Sequence, residues 1–329
     1  STKVVALVQG RAGGRPSVWR ALIPIFAALA VYLPTLRHGF VWDDRDLLLR
    51  DPWFADAARL IESLNAPLLF SENYFRPLGV LVLGLQARFF NLAPLGFHLV
   101  SVLLHALATW LLLRLAMRLR DEQPYAPSWW HDGAIVVALA YALHPALAEG
   151  VSFVSAQFDA LLTVFLLAAL LVDRSVERPV RRALAVGGLF FLATLCKEMA
   201  AGFLFVLPCL HLAEGEGAGS WRDRLAPHRS TYVALLIASL TYLAWRGFAL
   251  GGLLDPSAGG EAGFSLAASF DALARSLMLM LWPMGSLSPI QLPVASTAEL
   301  ALDTAFLGLV AVAVVALIRR GYRVGWWLA

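Results

Sequence analysis

The polar residues best equipped for chemistry interrupt apolar surroundings in this chain. Phe40-Val41-Trp42-Asp43-Asp44 sets two carboxylates just beyond an apolar run. Tyr74-Phe75-Arg76-Pro77-Leu78 offers a guanidinium able to grip a phosphate through two parallel hydrogen bonds. His144-Pro145, Glu149 and Asp159 follow in a stretch without Lys or Arg. A charge at bilayer depth costs at least about 2.5–3.5 kcal/mol, so Glu149 and Asp159 are expected to face a wet cavity or a cation. Cys196-Lys197-Glu198 and Trp245-Arg246 add further charges at apolar boundaries. Each has a plainer explanation alone: a solvated helix end for the aspartate pair, snorkelling for Arg76 and Arg246, a satisfied helix-end histidine, a local Lys197–Glu198 pair. Their convergence on one membrane face is what points to a site.

The elements that must position them are membrane helices. The chain is 59% hydrophobic and 15% charged, against about 45–50% and about 25% in soluble domains. Several apolar runs reach or approach the roughly 20 residues that cross a hydrocarbon core. Candidate spans are 19–36, 95–115, 133–149, 151–172, 183–196, 199–212, 230–249 and 302–318, with another starting at Trp326. The first has a basic leader but no small-residue cleavage site and reads as a retained span. Residues 1–329 form a single membrane domain without a visible linker. The end at Trp326-Trp327-Leu328-Ala329 suggests a C-terminally incomplete chain.

Residues 76–92 decide the topology. They are apolar but carry Arg76 and Arg88, and counting them as a crossing inverts everything downstream. If they stay in or dip into the outer interface, 17 of the 26 lysines and arginines fall on the cytoplasmic side, so the positive-inside rule selects that arrangement. Residues 37–94 then form a long first outer loop with an interfacial or re-entrant helix. Residues 276–295, broken by Pro283, Pro289 and Pro293, must also stay outside. The N-terminus is cytoplasmic, and all the polar candidates lie on the opposite side.

Other chemistries lack support. The basic residues sit in short groups between apolar runs, which fits membrane orientation and not nucleic acid. No glycine-rich phosphate loop, nucleophile elbow, zinc motif or convincing repeat is present. Cys196 and Cys209 suit small core residues better than a disulfide framework. His98 and His105 share a helical face seven residues apart and suit interhelical hydrogen bonding better than a metal.

The ordered set Trp42-Asp43-Asp44, Tyr74-Phe75-Arg76-Pro77-Leu78, Phe97-His98 with His105, His144-Pro145 with Glu149 and Phe158-Asp159, Cys196-Lys197-Glu198, and Trp282-Pro283 through Leu287-Ser288 resembles the membrane half of the transmembrane and tetratricopeptide-repeat O-mannosyltransferases and their bacterial relatives. The likeness runs from about 40 to 290. Gln157 replaces an arginine usual before the third acid, and no tetratricopeptide repeats follow.

The resemblance implies an all-α polytopic membrane protein of the C-type glycosyltransferase kind. It would transfer a sugar from a polyprenyl-phosphate donor to a hydroxyl on a protein or glycan acceptor, with inversion, outside the cytoplasm. By family position Asp43 is the candidate base and Asp44 its partner or a metal ligand. Arg76, Lys197 and Arg246 are candidates for the lipid phosphate. His144, Glu149, Asp159 and Glu198 are candidates for sugar hydroxyls or a divalent cation; no cofactor is otherwise specified. Two rivals stay open: a non-catalytic subunit of a larger membrane complex, and a transporter of a lipid-linked substrate. The Ala, Leu, Gly and Arg bias favours a bacterial inner membrane.

Overall fold

The computed structural model describes residues 18–50, 52–68, 73–121, 130–214, 220–252, 266–281, 283 and 297–319. Its regular structure is helical, apart from an isolated bridge in which Leu68 N–H donates to Tyr74 O at 2.7 Å. In chain order the α-helices are Val18–Tyr32 (α1), Asp43–Leu48 (α2), Ala57–Ser63 (α3), Pro77–Phe90 (α4), Pro94–Asp121 (α5), Trp130–Ala142 (α6) and Ala148–Ser152 (α7). Then come Gln157–Ser175 (α8), Pro179–Thr194 (α9), Phe203–Glu214 (α10), Trp221–Leu225 (α11), Arg229–Ala249 (α12), Leu266–Leu281 (α13) and Thr297–Arg319 (α14). Short 3-10 turns at Leu33–Arg37, Pro145–Leu147, Val154–Ala156, Glu198–Gly202 and Ala226–His228 join several of them.

The chain is an all-α polytopic membrane protein. Among the described residues four helical stretches are long and apolar enough to cross a bilayer: Trp19–Arg37, Pro94–Arg120, Val154–Ser175 and Trp221–Ala249. A fifth arises if Asp132–Ala142 and Pro145–Ser152, bent by 45°, count as one. That is fewer than the eight runs marked in the sequence, one of which, 302–318, lies within α14, a helix of 23 residues whose later side chains fall outside the described ones. α9 has 16 residues and α10 has 12, or about 24 and 18 Å at 1.5 Å per residue, short of a core about 30 Å thick. The runs 133–149 and 151–172 are also redrawn. Pro145 has no N–H to continue a helix, so α6 stops at Ala142 and the chain passes through turns and α7 before α8 begins at Gln157. The basic leader, most of 276–295, the Trp282 and Leu287-Ser288 elements, and the start of a span at Trp326 lie outside the described residues.

Two sets of helices share the bundle. α9 packs between α8 and α12, while α5 packs against α1, α6 and α8. Gly187 on α9 faces Ala234 of α12 so closely that a side chain there would collide. Small residues of this kind let helix backbones approach where lipid supplies no hydrophobic drive for association. Phe190, Phe203, Leu207 and Leu235 fill the adjoining core. Large apolar side chains such as Phe26, Leu103, Val136, Leu236 and Leu240 remain exposed around the bundle, as expected for helices apolar on all sides with lipid for solvent.

The 37–94 region folds onto the end of this bundle. Phe40, Trp53, Phe54, Leu60, Val80, Leu83 and Ala87 bury together with Phe97, Val154 and Phe158. Gly79, near the start of α4, admits the Phe158 ring where any Cβ would clash. Phe90, at its end, packs on Phe97. Asn91 in the left-handed region, followed by Leu92 at φ 59°, then turns the chain directly into α5. Both ends of α4 therefore meet one aromatic cluster.

Candidate functional site

The Asp43-Asp44 pair divides into an outward and an inward carboxylate. Asp43 begins α2 exposed, where the positive end of the helix favours an anion. Asp44 is fully buried. Its Oδ1 accepts from Ser155 N–H at 2.8 Å, and its Oδ2 from Val41 N–H at 3.3 Å and Val154 N–H at 3.4 Å. Burial lifts the Asp44 carboxyl above the usual aspartate range, while these amides pull the other way. Both oxygens are thus engaged by main chain, so Asp44 braces the loop against the turn before α8. Trp42, just ahead of the pair, has φ 44° and ψ −123°. A bulky residue holds such a conformation only where its surroundings over-determine it. Here the Asp44 contacts and an Arg45 Nε–H bond to Phe40 O (3.0 Å) do so.

The candidate cations are held by candidate acids. Arg76 donates to Glu198 twice, Nη2 to Oε1 at 2.7 Å and Nε to Oε2 at 3.2 Å. Its guanidinium carbon lies 4.4 Å from the Tyr74 ring centroid. Burial raises the Glu198 pKa, but the Arg76 hydrogen bonds, its own backbone amide and the charges of Arg76 and Lys197 together outweigh it and leave the carboxyl below the usual glutamate range. Next in sequence, Lys197 Nζ reaches both oxygens of Asp159 at 2.7 and 2.8 Å. Leu78 N–H to Leu195 O, 3.1 Å, fixes the two strands of chain that carry these pairs. Arg246 donates to Asn73 O at 2.9 Å, and Trp245 Nε1–H to Asn65 Oδ1 at 2.9 Å, pinning the end of α12 to the first loop.

His144 Nδ1 accepts from Ala146 N–H at 3.2 Å, and its Nε2 lies 3.0 Å from Met280 O on α13. Glu149 lines a cavity of about 590 Å³ with His38, Gly39, Val41, Trp42, Ser152 and Phe153. The other candidate acids and cations are absent from that lining. The residues form separate contacts on nearby stretches of chain: Asp44 to Ser155, Asp159 to Lys197, its neighbour Glu198 to Arg76, and Arg246 to Asn73. No trio of His, Cys, Asp or Glu ligand atoms gathers at this end among the described residues.

Some side chains gain meaning only from the coordinates. His38 and Phe153 help wall the cavity, and only the proximity of His38 to Asp43 in sequence hinted at it. Gln157 is fully buried; its Nε2 donates to Phe97 O at 2.9 Å and Ser101 Oγ at 3.0 Å, and its Oε1 accepts from Gln86 at 2.8 Å. The residue that stands in the place of an arginine is thus a neutral strut beneath the site. His105 bonds across helices as expected, 3.1 Å from Ala142 O, whereas both nitrogens of buried His98 lack a hydrogen-bond partner. Cys196 is in the core; Cys209, expected there too, is exposed because it lies on an outer face of α10.

Three relatives illustrate the similarity to known proteins. Protein O-mannosyl-transferase Tmtc1 of Drosophila melanogaster is 34% identical over 182 residues, 53% of this chain and 20% of its own length. Tmtc2 of the same species is 32% identical over 216 residues, 60% and 22%. Human protein O-mannosyl-transferase TMTC3 is 28% identical over 188 residues, 51% and 19%. The chain thus spans about a fifth of the curated relatives it matches. The matched stretch covers about half of this chain or a little more in each case. No family model and no solved structure matches it.

Proposed function

We propose that this protein transfers a sugar, mannose by analogy with its relatives, from a polyprenyl-phosphate donor to a hydroxyl of a protein acceptor on the non-cytoplasmic side. The observation that carries this reading is the pair of doubly bonded ion pairs, Arg76–Glu198 and Lys197–Asp159, on neighbouring residues, with Asp159 four residues beyond the Ser155 that anchors Asp44. A lipid-linked phosphate needs cations at the membrane surface, and two partly open pairs can exchange a carboxylate for a phosphate oxygen. Arg246 stands at the rim, held by Asn73.

Asp43, exposed on a turn fixed by Asp44, takes the proton of the acceptor hydroxyl. The hydroxyl oxygen attacks the anomeric carbon from the face opposite the phosphate. The bond from that carbon to the phosphate oxygen breaks, and polyprenyl phosphate leaves with the bonding electrons, so the product is inverted. Glu149 and the aromatic walls of the adjacent cavity suit a sugar or the acceptor chain. α4 lies in the outer interface, which agrees with both its ends meeting the Phe97–Phe158 cluster and with the basic-residue count. The composition favours a bacterial inner membrane with the site facing the periplasm, although the relatives compared come from animals.

The test is transfer of radiolabelled mannose from polyprenyl-phosphate mannose by the protein in vesicles, with a membrane extract as acceptor source. Label transfer that depends on Asp43 supports the reading. Failure to bind or consume any polyprenyl-phosphate sugar would favour a non-catalytic subunit.

A further inference from the structure

At the opposite end of the bundle, three residues far apart in sequence converge. Asp173 lies near the end of α8, His211 in the last turn of α10, and His228 in the turn before α12. Ligand-type atoms of all three lie within 4.8 Å of one another. His211 Nε2 is 2.7 Å from Asp173 Oδ2, and the His211 and His228 rings stack with centroids 3.5 Å apart. His211 Nδ1 is 2.6 Å from Tyr232 Oη.

We propose that Asp173, His211 and His228 bind a divalent transition-metal ion, zinc foremost. Two imidazoles and one carboxylate are a zinc-type donor set with a fourth position left for water. Tyr232 engages one nitrogen of His211 and leaves the other facing Asp173, the outer-shell arrangement that fixes a ligating histidine. His228 Nδ1 and Asp173 Oδ1 are buried without a hydrogen-bond partner, so donor capacity goes unused beside the third ligand. At metal–nitrogen distances of about 2.0–2.1 Å, tetrahedral ligand atoms stand about 3.3 Å apart. The three ligand atoms lie within 4.8 Å of one another, so a modest drawing-in reaches that spacing, and the stacked rings need to fan apart so that each nitrogen points at the ion.

Arg182 limits the affinity. Its Nε is 3.8 Å from Asp173 Oδ1, and its Nη2 donates to Pro227 O at 3.0 Å. It orients the carboxylate but adds a positive charge that the ion must outweigh, so binding in the micromolar range is expected. The bound ion would clamp α8, α10 and the start of α12. The proposal does not depend on the transferase reading.

The experiment uses the whole protein in detergent, treated with chelator and titrated with Co²⁺ and then Zn²⁺. One equivalent of Co²⁺ should give the visible absorption of a four-coordinate ion, Zn²⁺ should displace it, and Zn²⁺ should raise the melting temperature. Tyr232→Phe should weaken binding about 10–100-fold, as loss of an outer-shell partner does. His228→Ala, at a half-buried ring with an idle nitrogen, should remove stoichiometric binding while the metal-free protein melts as the parent does. No stoichiometric binding by the parent protein, or undiminished binding by either His228→Ala or His211→Ala, overturns the proposal.

Discussion

The two ends of the helical bundle treat charge differently. At the end that carries Asp43, the Arg76–Glu198 side chains are 11% and 40% exposed and Lys197–Asp159 are 20% and 46% exposed. In each pair the acid is the open partner and the cation the sheltered one. At the other end Asp173, His211 and Arg182 are 6%, 2% and 14% exposed, and Asp173 Oδ1 and Arg182 Nε, 3.8 Å apart, have no hydrogen-bond partner. A half-open pair can surrender its carboxylate to water when another anion arrives. A closed cluster cannot exchange a partner for anything larger than a small ion. The first arrangement suits a large charged substrate that comes and goes, the second a resident ion.

The contrast fails most directly if the open end is catalytically idle. Asp43→Asn should lower sugar transfer about 10²–10⁴-fold, since the amide cannot take a proton at neutral pH, while folding and donor binding persist. Parent-level transfer in the vesicle assay would move the base elsewhere.

The next effect separates exchange from structure. Arg76→Ala should raise the donor KM about 10–100-fold, the loss expected for a hydrogen-bonded charge contact. Glu198→Ala should leave donor affinity equal or tighter, because it frees the guanidinium. Equal loss in both variants would make the pair a strut and not a phosphate site.

A smaller effect concerns the neutral support below the pairs. Gln157→Ala leaves Phe97 O, Ser101 and Gln86 short of a partner and should cost about 1–3 kcal/mol, read as a lower melting temperature in detergent, with transfer retained at low temperature. Gln157→Arg should destabilise more, because the site is fully buried and offers no acid among these contacts.

The smallest effect is on pH. A carboxyl held below its ordinary pKa in the folded protein contributes stability above the unfolded value and loses it as pH falls through the folded one. Glu198 is such a group. Melting temperature should therefore drop as acidity increases below about pH 4, and Glu198→Gln should flatten that part of the profile. The exposure of Glu198 keeps the change modest.

Much of this was legible before any coordinates. Composition and run length fixed the helical membrane class, and Asp43, Arg76, Asp159 and Lys197 stood out because charge in an apolar setting is expensive. Which acid meets which cation was not legible. Lys197 and Glu198 are adjacent and invite a local pair, yet each reaches across the fold to a different partner, Asp159 and Arg76. Asp44 could not be told from Asp43 by type; only the amides of Val154 and Ser155, over a hundred residues away, turn it inward. Asp173, His211 and His228 carried no signal because their spacing, 38 and 17 residues, reflects three separate helix ends and matches no local ligand motif. The 133–149 run is bent at Pro145, where hydropathy continues but the backbone hydrogen bonds do not, and the 151–172 run begins a few residues late, at Val154.

The buried Asp44 carboxylate also sets a clock on biosynthesis. Its shortest hydrogen bond comes from Ser155, 111 residues later in the chain. At about 5–20 residues per second, roughly 6–22 s pass between synthesis of the two. For that interval the first loop must wait in a hydrated, unfinished form, after α1 and α5 have been made and before α8 exists. Premature closure would trap an anion without its donors, so the order of synthesis itself keeps the Asp43-Asp44 turn open until its anchor arrives.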